Sequence, residues 1–236
     1  MIKASPSCVL LIDKPAGCTS FDVIRQLRRQ TGVRKFGHAG TLDPAATGLL
    51  LIGVGSGTKS LTHLTKLDKE YEATIFIGAA TTTSDREGEV IHSHDGTVAD
   101  IGMEKITVTV ASLVGEAELP VSAFSAIKKD GVPFYKRARA AARQGQVVSD
   151  VPKRLMRVYA AEVNEVLDTT WQGYSGVAVT VRFAVGSGTY IRSLAEEVGR
   201  QLGYPALLTA LRRTAVGLYR VEDAVLPEQV QEAPAC

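Results

Sequence analysis

Strand-like and helix-like periods follow one another along these 236 residues without the regular strand–helix–strand rhythm that builds an all-parallel sheet. An apolar run at residues 9–12, ended by Asp13-Lys-Pro-Ala-Gly17, reads as a short buried strand and its turn. Thr19 or Ser20 can cap a helix running to about residue 30, with Phe21, Ile24 and Leu27 at helical spacing and Gly32 as its C-cap. A glycine-rich loop over residues 37–48 leads into an apolar strand at 49–54, and residues 58–67 look helical. Residues 70–77 alternate as a strand does, and 78–88 form a loop before a strand at 89–92. The segment 104–114 fits either type: Ile106-Thr-Val-Thr-Val110 favours a strand by propensity, yet Ile106, Val110, Leu113 and Val114 also make a helical stripe. Strands are expected at 122–128, 155–166 and 177–185, a basic helix at 134–143 and an amphipathic helix at 190–202, with a frayed tail after Pro227. The sum is an α+β chain with a mixed or antiparallel central sheet and flanking helices.

No stretch approaches the roughly 20 apolar residues that span a bilayer, and only Lys3 stands before the short apolar run at 9–12, so a cytoplasmic protein without membrane attachment is expected. Three cysteines with no C-x-x-C spacing suggest neither a disulfide framework nor a zinc site, and reduced thiols are expected. His92 and His94 can share one face of a strand, but no further ligand lies near them in sequence, so no metal is expected. The net charge of +2 conceals an uneven distribution. Residues 25–35 hold five basic side chains and no acidic one; residues 128–157 hold nine against two, which leaves −10 for the rest of the chain. Either island alone can be a solvated helix face; together they are the footprint of a protein that binds a phosphate backbone.

The segment richest in chemical content is Gly37-His-Ala-Gly-Thr-Leu-Asp-Pro-Ala-Ala-Thr-Gly48. One acidic residue, Asp43, stands among small residues, with Pro44 behind it and a buried strand starting just after Gly48. Such a loop can fix a carboxylate at the mouth of a sheet while glycines admit a ligand to the backbone. Taken alone it also reads as an Asx turn in a structural loop.

The segment resembles the catalytic motif of the TruB-type tRNA pseudouridine synthases, and other stretches of that family match in order. They are Lys14-Pro15, Lys69-Glu-Tyr71, Gly78-x-x-Thr81-x-Thr83-x-Asp85-x-x-Gly88, Ser122-Ala-Phe-Ser-Ala-Ile-Lys-Lys-Asp-Gly131, Tyr135 with Ala138-Arg139, Gly188-Thr-Tyr-Ile-Arg-Ser-Leu194 and Leu211-Arg-Arg213. The resemblance runs from about Val9 to Val221 and implies the pseudouridine synthase fold, with one catalytic domain over residues 1–221 and a short acidic tail over 222–236. It implies isomerisation of the T-loop uridine at position 55 of tRNA to pseudouridine, with no cofactor. Asp43 is the implied catalytic carboxylate, by attack on the sugar or the base or by taking a sugar proton. Arg192 is the implied cation against it, and Tyr71 the ring that stacks on the extruded uracil and whose hydroxyl can assist loss of the C5 proton. Tyr190 and Leu211 match pocket-lining positions, and His38 matches the residue that fills the space the extruded base leaves. Lys14, Lys59, Lys136, Arg137 and Arg139 are candidates for phosphate contacts on the T-arm.

The sequence departs from the family at Phe124, where Tyr is usual, and at Pro120-Val121, where Pro-Pro is usual. About twenty residues follow Val216, so a minimal form without the family's common C-terminal (PUA-like) domain is expected, acting as a monomer. Two other readings compete. A non-catalytic tRNA-binding or folding module needs only the basic islands. A glycoside hydrolase needs two carboxylates, such as Asp43 and Asp85, and an aromatic-rich cleft that 6% aromatic residues do not favour.

Overall fold

The computed structural model describes residues 8–94, 98, 101–122, 128–129, 132–134 and 151–231. Two compact units make up the chain: Met1–Glu72 with Leu211–Cys236, and Ala73–Ala210.

The first unit is built around one central strand. β1 (Cys8–Lys14) runs antiparallel to β3 (Thr47–Val54), in the register Cys8↔Val54 to Lys14↔Gly48. On its other side β3 pairs antiparallel with β2 (Phe36–Ala39) and parallel with β12 (Ala206–Val216) at Arg212↔Thr47 and Arg213↔Gly48, so the pairing is mixed. A strand with neighbours on both edges and helices on both faces must be apolar throughout, and β3 is buried from Gly48 to Val54. Its alternate residues Leu50, Ile52 and Val54 pack with Ile12 and with Val23, Ile24 and Leu27 of helix α1 (Ser20–Thr31). Leu49 and Leu51 pack on the opposite face with Leu64 of α2 (Leu61–Leu64), Val216 and Val221.

Local chemistry explains the helix ends. Thr19, not Ser20, caps α1: its hydroxyl accepts from the Asp22 amide at 3.0 Å and its own amide donates to Asp22 at 2.8 Å, a capping box. Gly32 ends the helix at φ 70°. The helix expected at 58–67 is cut to four residues behind a 3₁₀ turn over Gly55–Ser60. There the chain passes so close to β1 that a Cβ on Gly57 would lie 2.3 Å from the Cys8 carbonyl oxygen. The short strand β2, inside the segment read as loop, went unrecognised because its four residues include Gly37. The expectation of fraying after Pro227 also fails at its start: Pro227–Gln229 form a 3₁₀ turn, and Val230 packs into the α1 core. Cys8 is disulfide-bonded, against the reading of reduced thiols; Cys18 is free.

Among the described residues, the second unit is a set of longer strands faced by two helices. β4 (Lys69–Ile77) enters it from Ala73, and β5 (Ala79–Thr81) pairs with β6 (Val90–Ser93). The segment at 104–114 is resolved as helix α3 (Met103–Ala111), with Ile106 and Val110 buried four residues apart. β7 (Gly115–Pro120) pairs with β10 (Lys153–Trp171), and β10 with β11 (Tyr174–Val185), all antiparallel. β8 (Lys128–Lys129) and β9 (Val132–Pro133) form a two-residue ladder. The β10–β11 hairpin outruns both expected strands because Gln172 (φ 49°) and Gly173 (φ 88°) make a two-residue left-handed turn that lets pairing continue to Trp171↔Tyr174. Val177, Val179, Val181, Phe183 and Val185 bury one face of β11, and α4 (Ile191–Leu202) buries Leu194, Val198 and Leu202. The two-residue strand β13 (Tyr219–Arg220) completes the first unit against β12. Residues 123–127 and 135–143, where a strand and the basic helix were expected, lie outside the described residues.

Buried cations anchor the first unit, Arg213 and Lys69 among them. Arg213, 1% exposed, donates from Nε to the Leu49 carbonyl at 2.7 Å and from Nη2 to the Gly40 carbonyl at 3.2 Å. The parallel pairing at Arg213↔Gly48 requires glycine, since Gly48 has φ 100° and a Cβ would stand 2.3 Å from the Arg213 carbonyl oxygen. Lys69 donates to the Thr65 carbonyl at 2.6 Å and to that of Leu67. Burial and the nearby Arg213 charge lower its pKa to about 8, with Asp68 pulling the other way.

Thr19→Ala is expected to cost about 1 kcal/mol of unfolding free energy, and Gly48→Ala more than about 2 kcal/mol, because it adds both strain and a backbone clash. Urea denaturation of the two variants measures this, and equal costs would contradict the packing described. Between about pH 8 and 10.5 the unfolded chain holds a Lys69 proton that the folded chain has released. Wild type should therefore gain stability relative to Lys69→Met as pH rises through that window. A difference that stays flat from pH 8 to 10 would show that the amine is not depressed.

Candidate active site

Asp43 stands in the connection from β2 to β3, and the backbone around it is fixed from several directions. The turn closes with the Ala46 amide on the Asp43 carbonyl at 3.1 Å, and Leu42 and Ala46 beside it are buried. One residue before Asp43, the buried Ser20 hydroxyl accepts from the Leu42 amide at 2.9 Å and donates to the Leu42 carbonyl at 3.2 Å. One residue after it, the Pro44 carbonyl accepts from the Gly17 amide at 2.9 Å and from Lys14 Nζ at 3.3 Å. Asp43 itself is half-buried. An otherwise irregular loop is thus pinned at both neighbours of its single carboxylate, the preorganisation that positioned catalysis needs.

Lys14 was expected at a phosphate. The structure places it elsewhere: it is 0% exposed, and its ammonium donates to the carbonyls of Pro15 at 2.9 Å and Cys18 at 2.8 Å as well as to Pro44. A buried ammonium surrounded by carbonyls holds loops together and does not meet solvent-borne RNA. Lys59 is exposed on the 3₁₀ turn. Lys136, Arg137 and Arg139 lie outside the described residues.

The first unit also carries His38 on β2, Tyr71 on β4 and Leu211 on β12. Tyr71 is buried, and Leu211 is half-buried. His38 Nδ1 is buried without a hydrogen-bond partner among the described residues. Burial, and after it the Arg213 charge, hold the imidazole pKa below its ordinary value, so the ring is mainly neutral at pH 7. Next to Leu211, Arg212 forms a two-pronged pair with Asp13, at 3.0 and 2.8 Å.

Tyr190 and Arg192 belong to the second unit, at the start of α4. Arg192 is 6% exposed, and its guanidinium is held by the loop at 81–88. Nη1 donates to the Thr83 carbonyl at 3.0 Å and to Ser122 Oγ at 3.0 Å, and lies 3.5 Å from Asp85 Oδ2. Asp85 Oδ1 in turn accepts from Thr83 Oγ1 at 2.5 Å and from the Glu87 amide at 3.0 Å. The loop is tight enough to put Ser84 at φ 62°, and its hydroxyl donates to Glu196 at 2.7 Å. A guanidinium with a carbonyl, a hydroxyl and a carboxylate on it is oriented as well as buried.

Sequence reading missed Asp85, Thr83 and Ser122 as the clasp of Arg192, and Arg213 as the clasp of the Asp43 loop. A signal was present for the first set in the polar spacing Thr81-x-Thr83-x-Asp85; nothing in Leu211-Arg-Arg213 told which arginine turns inward. Among the described residues no three His, Cys, Asp or Glu side chains gather to hold a metal ion, and no helix is long and apolar enough to cross a membrane.

Comparison with known proteins joins these observations to a family. The sequence model described as TruB family pseudouridylate synthase (N terminal domain) matches residues 28–191, more than half of the chain. The tRNA pseudouridine synthase B of Corynebacterium efficiens is 48% identical over 226 residues, covering 96% of this chain and 72% of that protein. The protein of the same name from Leifsonia xyli subsp. xyli is 46% identical over 219 residues, covering 92% and 70%. Among solved structures, an H/ACA RNP bound to a substrate RNA containing 2′-deoxyuridine matches at 25% identity and TM-score 0.64, covering 94% of this chain and 52% of that one. The archaeal box H/ACA sRNP Nop10-Cbf5 complex matches at 25% identity and TM-score 0.63, with the same coverage, so this chain spans about half the length of each. The mixed strands, the pinned Asp43 loop and the oriented Arg192 therefore sit in a shared fold, and the chain belongs to the TruB family of pseudouridylate synthases, which are isomerases.

Proposed function

We propose that this chain converts the T-loop uridine at position 55 of tRNA to pseudouridine, with the Asp43 carboxylate as nucleophile and the uridine extruded into a pocket. The observation that carries this reading is the pinning of Asp43 on both sides, through Ser20 to Leu42 and through Lys14 and Gly17 to Pro44. Relatives at 46–48% identity bear the name tRNA pseudouridine synthase B, which supports tRNA as the substrate.

The reaction breaks the C1′–N1 bond, turns the uracil, joins C1′ to C5, and moves the C5 proton to solvent while N1 gains one. Atoms and electrons balance without a redox partner or nucleotide, so no cofactor enters. Asp43 supplies a carboxylate able to form a transient covalent bond. Arg192 is the catalytic cation of this reading, and its clasp keeps the guanidinium plane fixed. Tyr71 stacks on the uracil and assists removal of the C5 proton, Tyr190 and Leu211 line the base, and a neutral His38 fills the gap left in the RNA stack without adding a second charge. Lys59 and the basic side chains Lys136, Arg137 and Arg139 meet phosphates of the T-arm. The enzyme acts as a cytoplasmic monomer, with residues 1–221 as its catalytic domain.

The test is tritium release from tRNA transcript labelled at uridine C5. Wild type should release it, and Asp43→Asn should lower the rate by roughly 1,000-fold or more while binding tRNA within about threefold of wild type. A wild-type protein that binds tRNA and releases no tritium would leave only the binding-module reading.

A further inference from the structure

The exposed face of α1 has no place in the chemistry above, yet it carries a pattern that points to a ligand. Phe21, Arg25, Arg28 and Arg29 stand at positions i, i+4, i+7 and i+8 of a 12-residue helix, and so line one stripe. Phe21 is 53% exposed, the wrong place for a large apolar ring in the absence of a partner. The Arg25 and Arg28 guanidiniums lie 5.9 and 5.7 Å from its ring centre. Asp22 is the one acid on this surface; it pairs with Arg25 and caps the helix through Thr19. A shallow depression of about 520 Å³ opens among Asp22, Arg25, Arg28 and Arg29. The opposite face of the same helix, Val23, Ile24 and Leu27, is buried in the core, so the stripe is held rigidly.

Its position matters as much as its chemistry. Phe21 follows Ser20, whose hydroxyl is bonded both ways to Leu42, the residue before Asp43. A ligand on the stripe is therefore held by a surface hydrogen-bonded directly to the loop that carries the carboxylate.

We propose that the α1 stripe is an RNA-binding surface that takes a stretch of substrate RNA beyond the target uridine, with an unpaired base stacked on Phe21 and phosphates on Arg28 and Arg29. An RNA strand fits because it alone offers both parts: π-faces for an exposed ring and regularly spaced anions for guanidiniums. A protein partner would have to bring its own acids to the same stripe. The proposal rests on the reading of this chain as a tRNA-modifying enzyme, and adds where the RNA is gripped.

The test measures tRNA affinity across a salt series, together with the tritium-release rate at saturating tRNA, for wild type, Phe21→Ala, Phe21→Trp and the double variant Arg28→Gln/Arg29→Gln. The arginine variant should flatten the slope of log affinity against log salt by about 1.5–2. Phe21→Ala should weaken binding about tenfold, and Phe21→Trp should restore it, which a merely structural loss of the ring would not do. The saturated rate should stay within about threefold of wild type. An unchanged slope, or equal affinity for Phe21→Ala and wild type, overturns the surface; so does a wild-type dimer that the Phe21→Ala change dissolves, since the occupant is then a second copy. Failure of the catalytic reading shows itself differently, as wild-type tRNA binding without tritium release.

Discussion

One guanidinium closes the loop on which everything else in the first unit depends. Arg213 reaches the Gly40 carbonyl with one nitrogen and the Leu49 carbonyl with another, so it spans the segment that holds Asp43 and joins its two ends. It can do so because β12 lies parallel to β3 at Gly48, where the absent side chain lets the Arg213 backbone approach. Burying an arginine is costly unless its donors are met; meeting them with the carbonyls of a loop converts that cost into loop rigidity. Lys14 plays the same part from the other side, through Pro15, Cys18 and Pro44.

These buried cations set the electrostatics of their surroundings. Burial first, and the Arg213 charge after it, lower the pKa of both His38 and Lys69.

Much of this was legible in the sequence, and the misses share a cause. The α1 helix and its Gly32 cap followed from helical periodicity and capping chemistry, and β1 and β3 from short apolar runs bounded by turn residues, all of them signals carried at short range. β12 was not anticipated. Its Leu-Leu-Thr-Ala-Leu-Arg-Arg run has no two-residue alternation, and pairing with partners distant in sequence, β3 among them, makes it a strand. The role of Lys14 was hidden as well: a lysine ending an apolar strand reads as a solvent cation, and only the fold turns the Pro15 and Cys18 carbonyls and the distant Pro44 carbonyl onto it. The roles proposed for Asp43, Tyr71 and Arg192 rest on resemblance to a family motif; their local surroundings in sequence leave structural readings open for each.

The arginines themselves discriminate among the competing functions. A protein that only binds RNA needs cations at its surface, and α1 has them in Arg25, Arg28 and Arg29. It has no use for Arg192, which is withdrawn from solvent at the expense of an ordered loop, a left-handed Ser84 and the commitment of Asp85. A glycoside hydrolase would want Asp85 as a proton donor, but both of its oxygens are engaged, one by Thr83 and the Glu87 amide and the other by the Arg192 guanidinium. Asp43, by contrast, stands on a backbone held still at both of its neighbours, in a chain that buries some guanidiniums to order its loops and presents others on the surface of α1. Such a division of labour suits an enzyme that must grip a large polyanion and act on one base.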